Sequence, residues 1–310
     1  MEYARLGQSD LSVSQIGFGC AAIGGYDYGR ADDSVSLAAI HEALDRGVNF
    51  FDTADVYGLG HAEEILGEAL AGRAQEAVIA TKVGLEWDAN GKTRRNLRPG
   101  RIEQAVEASL RRLKIDCIPL YQIHWPDPET PIADTMAALV RCQERGKIRF
   151  IGCCNVPDDL LTDAQASGRV ESLQMAYSLA ESEQEQLLER AYRDLGMGTL
   201  CYNPLAQGLF TGKYSRESMF DSGDLRSRSI LFQGDRFLSN LALLERIRVV
   251  AERVGRTIAQ VAIRWILDRN FITSALVGIR TPAQIAENAG AAGWSLAPGD
   301  RKFLEAGRSD

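Results

Sequence analysis

Three ionisable residues close three successive apolar runs, and a tyrosine follows the first of them. Asp52 lies in Asn49-Phe-Phe-Asp52-Thr-Ala-Asp-Val-Tyr57-Gly, Lys82 ends Val78-Ile-Ala-Thr-Lys82, and His124 lies in Tyr121-Gln-Ile-His124-Trp-Pro. Taken singly, each has an ordinary explanation: a lysine at a solvated strand end, a histidine hydrogen-bonded in a core. Taken together they suggest proton-transfer chemistry. A tyrosine titrates near ~10 and is a poor acid at neutral pH. An ammonium within ~4–6 Å favours the phenolate and would lower that value by about 1–3 units. Asp52 would keep Lys82 charged, and His124 would hydrogen-bond a substrate oxygen beside Tyr57. Such a group stabilises and then protonates an alkoxide. Hydride addition to a carbonyl generates that alkoxide, and the hydride must come from a cofactor because side chains do not supply one.

The surrounding pattern predicts what would position these residues. Short runs rich in Val, Ile, Phe and Leu fall at 15–19, 48–52, 78–82, 119–124, 149–154, 172–175, 199–202 and 274–277. Between them lie stretches of helical period, clearest at 34–46, 101–113, 134–145 and 183–195. Asp33 and Thr257 fit as N-caps, and Gly47, Gly146 and Gly196 as stops after helix ends. Strand–helix alternation implies a parallel sheet. Eight such units in 310 residues match a closed (β/α)8 barrel, with a doubly wound open sheet as runner-up. No Pro/Ser/Gly-rich linker divides the chain, so residues 1–310 read as one domain. Residues 3–13 read as a hairpin capping the barrel floor. Residues 205–235, Gly/Ser-rich and charged, break the rhythm after the seventh strand, and loops of that length are usually lids or binding loops.

Composition narrows the function classes. The chain is 45% hydrophobic and 25% charged, which is ordinary globular usage. A formal net charge of −7 gives no basic field for nucleic acid, and no apolar run approaches the ~20 residues of a membrane span. Met1-Glu2-Tyr3-Ala4-Arg5 is followed by no apolar leader stretch, so a cytoplasmic protein with reduced cysteines is expected. Cys153 and Cys154 are adjacent and should point to opposite faces of their strand. No apolar stripe stands apart from the core pattern, so the sequence assigns no oligomeric state.

Several familiar motifs fail on inspection. Gly17-Phe-Gly19-Cys-Ala-Ala22 has dinucleotide-fingerprint spacing, but Ile23-Gly24-Gly25-Tyr26-Asp27-Tyr28-Gly29 cannot open the helix that reading needs. Gly208-Leu-Phe-Thr-Gly212-Lys213 is one residue short of a P-loop. His41, His61 and His124 are too dispersed for a histidine metal site, so no metal is expected. The basic run Lys92, Arg94, Arg95, Arg98 and Arg101 reads as a solvated loop that could rim a pocket.

The sequence as a whole resembles the aldo-keto reductases, most closely the prokaryotic members related to potassium-channel β subunits and to the bacterial general-stress and inositol-cluster reductases. Residues 49–58, 79–83 and 122–125 resemble that family's Asp…Tyr, Lys and His segments. Ile151-Gly152-Cys-Cys-Asn155, Tyr202-Asn-Pro-Leu-Ala-Gln-Gly-Leu-Phe-Thr-Gly-Lys213 and Val277-Gly278-Ile-Arg280-Thr-Pro-Ala-Gln284-Ile-Ala-Glu-Asn288 resemble its cofactor segments. The resemblance implies Tyr57 as general acid, Lys82 and Asp52 as its tuning pair, and His124 as the carbonyl-orienting donor. It further implies that Asn155 and Gln174 hold the nicotinamide carboxamide and that Tyr202 stacks on the ring. Leu205, Gln207, Gly208 and Lys213 would wrap the pyrophosphate under the long loop that carries Arg226. Arg280, Gln284 and Asn288 would meet the adenosine end, while Gly19, Cys154 and Gly278 line the cofactor groove. Cys154 departs from the family's usual Ser and offers a weaker hydrogen-bond partner. Gly278 and Gln284 stand where some relatives carry Lys and Arg, which leaves Arg280 to meet a 2′-phosphate.

The expectation is therefore reversible NADP(H)-dependent reduction of an aldehyde or ketone, with NAD(H) also admitted. Tyr26, Tyr28, Trp87 and Trp125 are expected to line the substrate pocket, which is compatible with a sugar face or an aromatic aldehyde. The rival reading is a nicotinamide-binding regulatory subunit with little turnover. The presence of Asp52, Tyr57, Lys82 and His124 together argues against it.

Overall fold

The computed structural model describes residues 1–310 apart from 26–28, 30, 222, 309 and 310. Eight parallel strands close into a barrel in the order 6-7-8-1-2-3-4-5. They are β1 (Ile16–Gly19), β2 (Phe50–Asp52), β3 (Val78–Val83), β4 (Ile118–Ile123), β5 (Ile148–Cys154), β6 (Ser172–Ala176), β7 (Gly198–Tyr202) and β8 (Ser274–Gly278). All eight apolar runs are strands, and closure removes the open-sheet alternative. The outer helices are α1 (Asp33–Asp45), α2 (His61–Ala69), α3 (Pro99–Leu113), α4 (Ile132–Glu144), α5 (Asp158–Ser167), α6 (Glu185–Arg193), α7 (Gly234–Val254), α8 (Ile258–Leu267), α9 (Pro282–Ala289) and α10 (Pro298–Glu305). A short antiparallel hairpin of Tyr3–Arg5 and Ser12–Ser14 precedes the barrel.

Local chemistry explains the boundaries. Thr257 caps α8 and Thr281 caps α9, each in a reciprocal capping box. Asp32, one residue before the expected Asp33, caps α1, because its carboxylate reaches the backbone N–H groups of Ser34 and Val35. Gly47, Gly146 and Gly196 all adopt positive φ, the conformation a helix stop requires.

Strand alternation builds the barrel in two layers. Phe50, Ala80, Leu120, Leu200 and Leu276 point inward low in the barrel and pack with Leu6, Leu11 and Val13 of the hairpin, which plugs the floor. Two residues further along the same strands come Asp52, Lys82, Gln122, Tyr202 and Gly278, and the corresponding positions of β5 and β6 are Cys154 and Gln174. The upper layer is thus polar, at the end of the barrel where (β/α)8 enzymes place their chemistry. The opposite strand parity faces the helices: Phe18, Phe51, Ile79, Tyr121, Ile123, Ile151, Cys153, Leu173 and Val277 belong to the outer core. Cys153 therefore faces the helices while Cys154 faces the interior, as strand geometry predicts.

One departure from the sequence reading lies on the upper rim. Part of the basic run forms a strand: Thr93–Arg95 pairs with Leu85–Trp87 in an antiparallel hairpin. Its three residues are exposed and polar or cationic, so no apolar alternation announced it. The long segment expected after the seventh strand carries three short turns at Leu209–Thr211, Leu225–Arg228 and Ile230–Phe232 before α7 begins at Gly234. Tyr214, Phe220 and Phe232 knit them together, with ring centroids 4.9–5.4 Å apart.

Candidate active site

Asp52 and Lys82 meet because β2 and β3 are neighbours in register and both side chains take the inward parity. Lys82 Nζ donates to Asp52 Oδ2 at 2.6 Å and to the Thr53 carbonyl at 2.9 Å. Both side chains are almost fully buried. Asp52 Oδ1 accepts from Gln174 Nε2 at 2.8 Å and from Gln122 Nε2 at 3.4 Å. A buried ion pair survives only when its remaining hydrogen-bonding capacity is satisfied, and the two glutamines satisfy the carboxylate. Gln122 escaped the sequence reading. Its signal was a polar residue on the inward parity of an apolar strand, two residues before His124.

The loop after β2 delivers Tyr57. Tyr57 N donates to Ala54 O at 3.1 Å, and the chain then passes through three positive-φ residues, Gly58, Leu59 and Gly60, into α2. Gly58 is obligatory: a Cβ there would lie 2.3 Å from the Gly24 carbonyl oxygen. This contact presses the Tyr57 loop against the turn after β1. The phenol arrives 3.4 Å from Lys82 Nζ, and its ring meets that of His124 edge-on at 5.7 Å. His124 follows the last residue of β4 and is 7% exposed. Its Nδ1 is buried with no hydrogen-bond partner among the described residues.

The protonation states follow from burial and charge. Burial pushes the Tyr57 phenol above its ordinary range, and the Lys82 cation opposes this without cancelling it. That corrects the sequence expectation of a lowered value. The spacing argument counted the ammonium and not the water lost on burial, nor the Asp52 carboxylate that neutralises the ammonium. Burial is the largest single effect on the Lys82 ammonium and acts against it, but Asp52, Tyr57 and Cys154 together outweigh burial and raise the group, so it stays charged. His124 is held well below its usual value by burial and then by Lys82, so it is a neutral imidazole. The site is a protonated phenol beside a cation, with a neutral N–H donor next to it. That arrangement can donate one proton and one hydrogen bond to a single oxygen.

The residues expected to hold a nucleotide lie at the adjacent strand ends. Asn155, at φ +56, follows β5. Its Nδ2 donates to the His124 carbonyl at 3.1 Å and to Cys154 Sγ at 3.2 Å, and its Oδ1 accepts from Tyr202 Oη at 2.8 Å. Cys154 Sγ in turn lies 3.1 Å from Gln174 Oε1. These four predicted residues therefore form one network with the ion pair. Beyond β7, Leu205, Gln207, Gly208 and Lys213 share a turn with Asn203, Ala206 and Gln207 all at positive φ. Strained backbone of this kind concentrates at ligand sites. Gln207 Oε1 is buried without a partner among the described residues. A Cβ on Gly208 would lie 3.6 Å from Lys213 Nζ. The open glycine and the adjacent ammonium fit a bound pyrophosphate, whereas the orphaned Gln207 oxygen, an acceptor, would need a donor from elsewhere on the ligand.

The remaining predicted positions differ in readiness. Gly19 pairs with Gly278 at the ends of β1 and β8. Arg226 is engaged inside its own loop, paired with Asp224, bonded to Tyr214 Oη and stacked over Phe220. Arg280 donates to the carbonyls of Ala22 at 3.2 Å and Gly29 at 2.9 Å. Gln284 accepts from the backbone N–H groups of Arg280 and Thr281, and Asn288 is buried one turn later. Trp87 lies on the rim hairpin and Trp125 just beyond His124, each faced by an arginine, Arg101 and Arg95 respectively. Tyr26 and Tyr28 lie outside the described residues.

Comparison with known proteins converges on one family. The profile of the Aldo/keto reductase family matches residues 15–301. The chain is 37% identical to "Aldo-keto reductase YhdN" of Bacillus subtilis (strain 168), over 98% of this chain and 92% of that protein. It is 35% identical to "NADH-specific methylglyoxal reductase" of Escherichia coli (strain K12), over 98% and 97% respectively. The solved structure of the glycerol dehydrogenase AKR11B4 from Gluconobacter oxydans superposes with a TM-score of 0.92 at 37% identity, covering 98% of this chain and 94% of that one.

Proposed function

The chain belongs to the aldo/keto reductase family and is an NAD(P)H-dependent carbonyl reductase; on that premise we propose that it reduces an aldehyde or ketone reversibly with NADP(H), using Tyr57 as the acid. The observation that carries this reading is the 3.4 Å contact between Tyr57 Oη and a buried, Asp52-paired Lys82. Bound nicotinamide supplies the hydride in this chemistry. His124, neutral, donates a hydrogen bond to the carbonyl oxygen and orients it. Tyr57 transfers its proton to that oxygen as negative charge develops there, and Lys82 stabilises the phenolate left behind. Asn155 and Gln174 would hold the carboxamide and Tyr202 the ring face, while Leu205, Gln207, Gly208 and Lys213 would hold the pyrophosphate. Arg280 would meet the 2′-phosphate at the mouth of α9.

One observation favours NAD(H) as a second reading. The Arg280 guanidinium already grips two backbone carbonyls, and Gly278 and Gln284 contribute no charge. A 2′-phosphate would have to compete for that arginine. For the substrate, the Trp87 and Trp125 walls support a flat or ring-shaped carbonyl compound, an aromatic aldehyde or a keto-sugar. The test is loss of nicotinamide absorbance with NADPH and with NADH, given an aromatic aldehyde, a short aldose and a keto-sugar. Turnover that collapses in Tyr57→Phe supports the assignment, and undiminished turnover in that variant overturns it. The ratio of kcat/KM for the two cofactors decides between NADP(H) and NAD(H). Tight cofactor binding without turnover on any carbonyl would favour the regulatory reading.

A further inference from the structure

Behind Tyr57 lies a second buried polar group that the proton-transfer chemistry does not use. Asp55 sits in the loop between Asp52 and Tyr57 and is 1% exposed. Its side chain leaves the barrel on the helix side. Its Oδ2 is 3.5 Å from Arg101 Nη2 on α3, and its Oδ1 is buried with no partner among the described residues. Arg101 does not end there. Its Nε lies 3.6 Å from Glu86 Oε2 on the rim hairpin, and its guanidinium faces the Trp87 ring at 6.0 Å. Glu86 is anchored in turn by Asn96 Nδ2 at 2.8 Å and by Arg94. One guanidinium therefore touches the segment that carries the acid and the segment that carries a wall of the substrate mouth.

We propose that Asp55 and Arg101 are positioning residues that tie the Tyr57 loop to the Trp87 hairpin, so that the acid and the substrate wall hold a fixed spacing. A burial cost of this size is otherwise hard to account for. A buried carboxyl with one oxygen unpaired is destabilising, whether protonated or charged. The planar arginine fork suits a three-way joint because it presents several donors in one rigid plane.

The groups facing Asp55 define its charge. Glu63 approaches from α2, Arg101 and Arg112 from α3, and Tyr121 from β4, while Glu86 acts on it through Arg101. Glu63 is itself held by Thr81 Oγ1 at 2.6 Å and Arg112 Nε at 2.7 Å. Burial first, and then Glu63, push the Asp55 carboxyl up to about 8, against the pull of the two arginines. Asp55 is thus protonated at neutral pH and becomes a full partner for Arg101 only above that value. The joint tightens as pH rises through about 8.

Two experiments test this, and they fail separately. The first is backbone amide exchange on wild type, Asp55→Asn and Arg101→Gln, without cofactor or substrate. Residues 55–60 and 85–95 should exchange severalfold faster together in Arg101→Gln, with α5 and α6 unchanged. Loosening of one segment alone, or of neither, overturns the proposal. The second rests on the carbonyl-reductase reading and uses whichever aldehyde the wild type reduces. Arg101→Gln should lower kcat about tenfold and raise the carbonyl KM, leaving the NADPH KM within twofold. Wild-type kcat/KM should step upward across pH 8, and Asp55→Asn, isosteric and uncharged, should lack the step. A step that persists in Asp55→Asn, or equal damage to the NADPH and carbonyl KM, overturns it. A wild type that reduces no carbonyl would count against the functional reading and leave the exchange test decisive for the joint.

Discussion

Replacing Lys82 by Met isolates what the buried ammonium does. The perturbation removes a charge and keeps most of the volume. Two effects follow, and they separate. The first is stability. Lys82 is 1% exposed and is the cationic partner of Asp52 at 2.6 Å. Removing it leaves a buried carboxylate held only by Gln174 and Gln122, which costs about 3–5 kcal/mol. With an unfolding entropy of about 2.1 cal/mol/K per residue over 310 residues, that lowers Tm by about 5–8 °C. The second effect is on proton transfer. At 3.4 Å and an effective dielectric of about 20, two unit charges interact by about 5 kcal/mol. A phenolate half-formed in the transition state would lose about half of that, or roughly 60-fold in kcat. The cofactor sites are untouched, so the NADPH KM should hold. The assay pairs steady-state nicotinamide absorbance with thermal unfolding, in Lys82→Met and in Lys82→Met with Asp52→Asn. The double variant removes the orphaned carboxylate and should recover most of the Tm while kcat stays low. A Lys82→Met enzyme with kcat within threefold of wild type would refute the role given to the ammonium. A double variant no more stable than the single one would refute the ion-pair account.

Other consequences are equally direct. Tyr57 sits above its ordinary value and His124 well below its own, so in the Asp55→Asn background kcat for reduction should be level from about pH 6 to 9; a decline below pH 7 in steady-state rates would show that His124 protonates there. The same depressed histidine stabilises the fold only above its unfolded value of ~6.5, so stability should fall as pH drops below that value, and His124→Gln should flatten the fall in a Tm-versus-pH series. Cys154→Ser should lower the nicotinamide cofactor KM a few-fold, about 0.5–1 kcal/mol, because a hydroxyl replaces the weaker thiol beside Gln174; an unchanged KM with either cofactor would mean that position 154 does not bear on the carboxamide. Gly58→Ala should destabilise by about 2 kcal/mol or more, since it adds a clash with the Gly24 carbonyl to a left-handed backbone; thermal unfolding and kcat should both suffer, because Tyr57 is the preceding residue.

Sequence alone determined the barrel and which polar residues its strand ends bring together. Eight apolar runs separated by helical periods leave few topologies, and strand parity then dictates which residues can face one another inside a closed sheet. Asp52, Lys82 and His124 were legible because each is a polar residue at the end of an otherwise apolar run, and Gln122 was readable by the same rule. The Thr93–Arg95 strand was hidden because an exposed two-stranded ribbon has no buried face and so no hydrophobic alternation. The tertiary structure decided everything that depends on distance and on water. It turned the expected lowering of the Tyr57 phenol into a rise, because burial removes solvent that no spacing rule can count. It placed Arg280 on two backbone carbonyls and Arg226 inside its own loop, since neighbours distant in sequence compete for the same guanidinium. It buried Asp55, three residues from Asp52 along the chain, on the opposite side of the barrel wall. Strand and turn periods fix direction along a chain, whereas charge states and partnerships depend on which elements pack against that direction, and only the closed fold settles that.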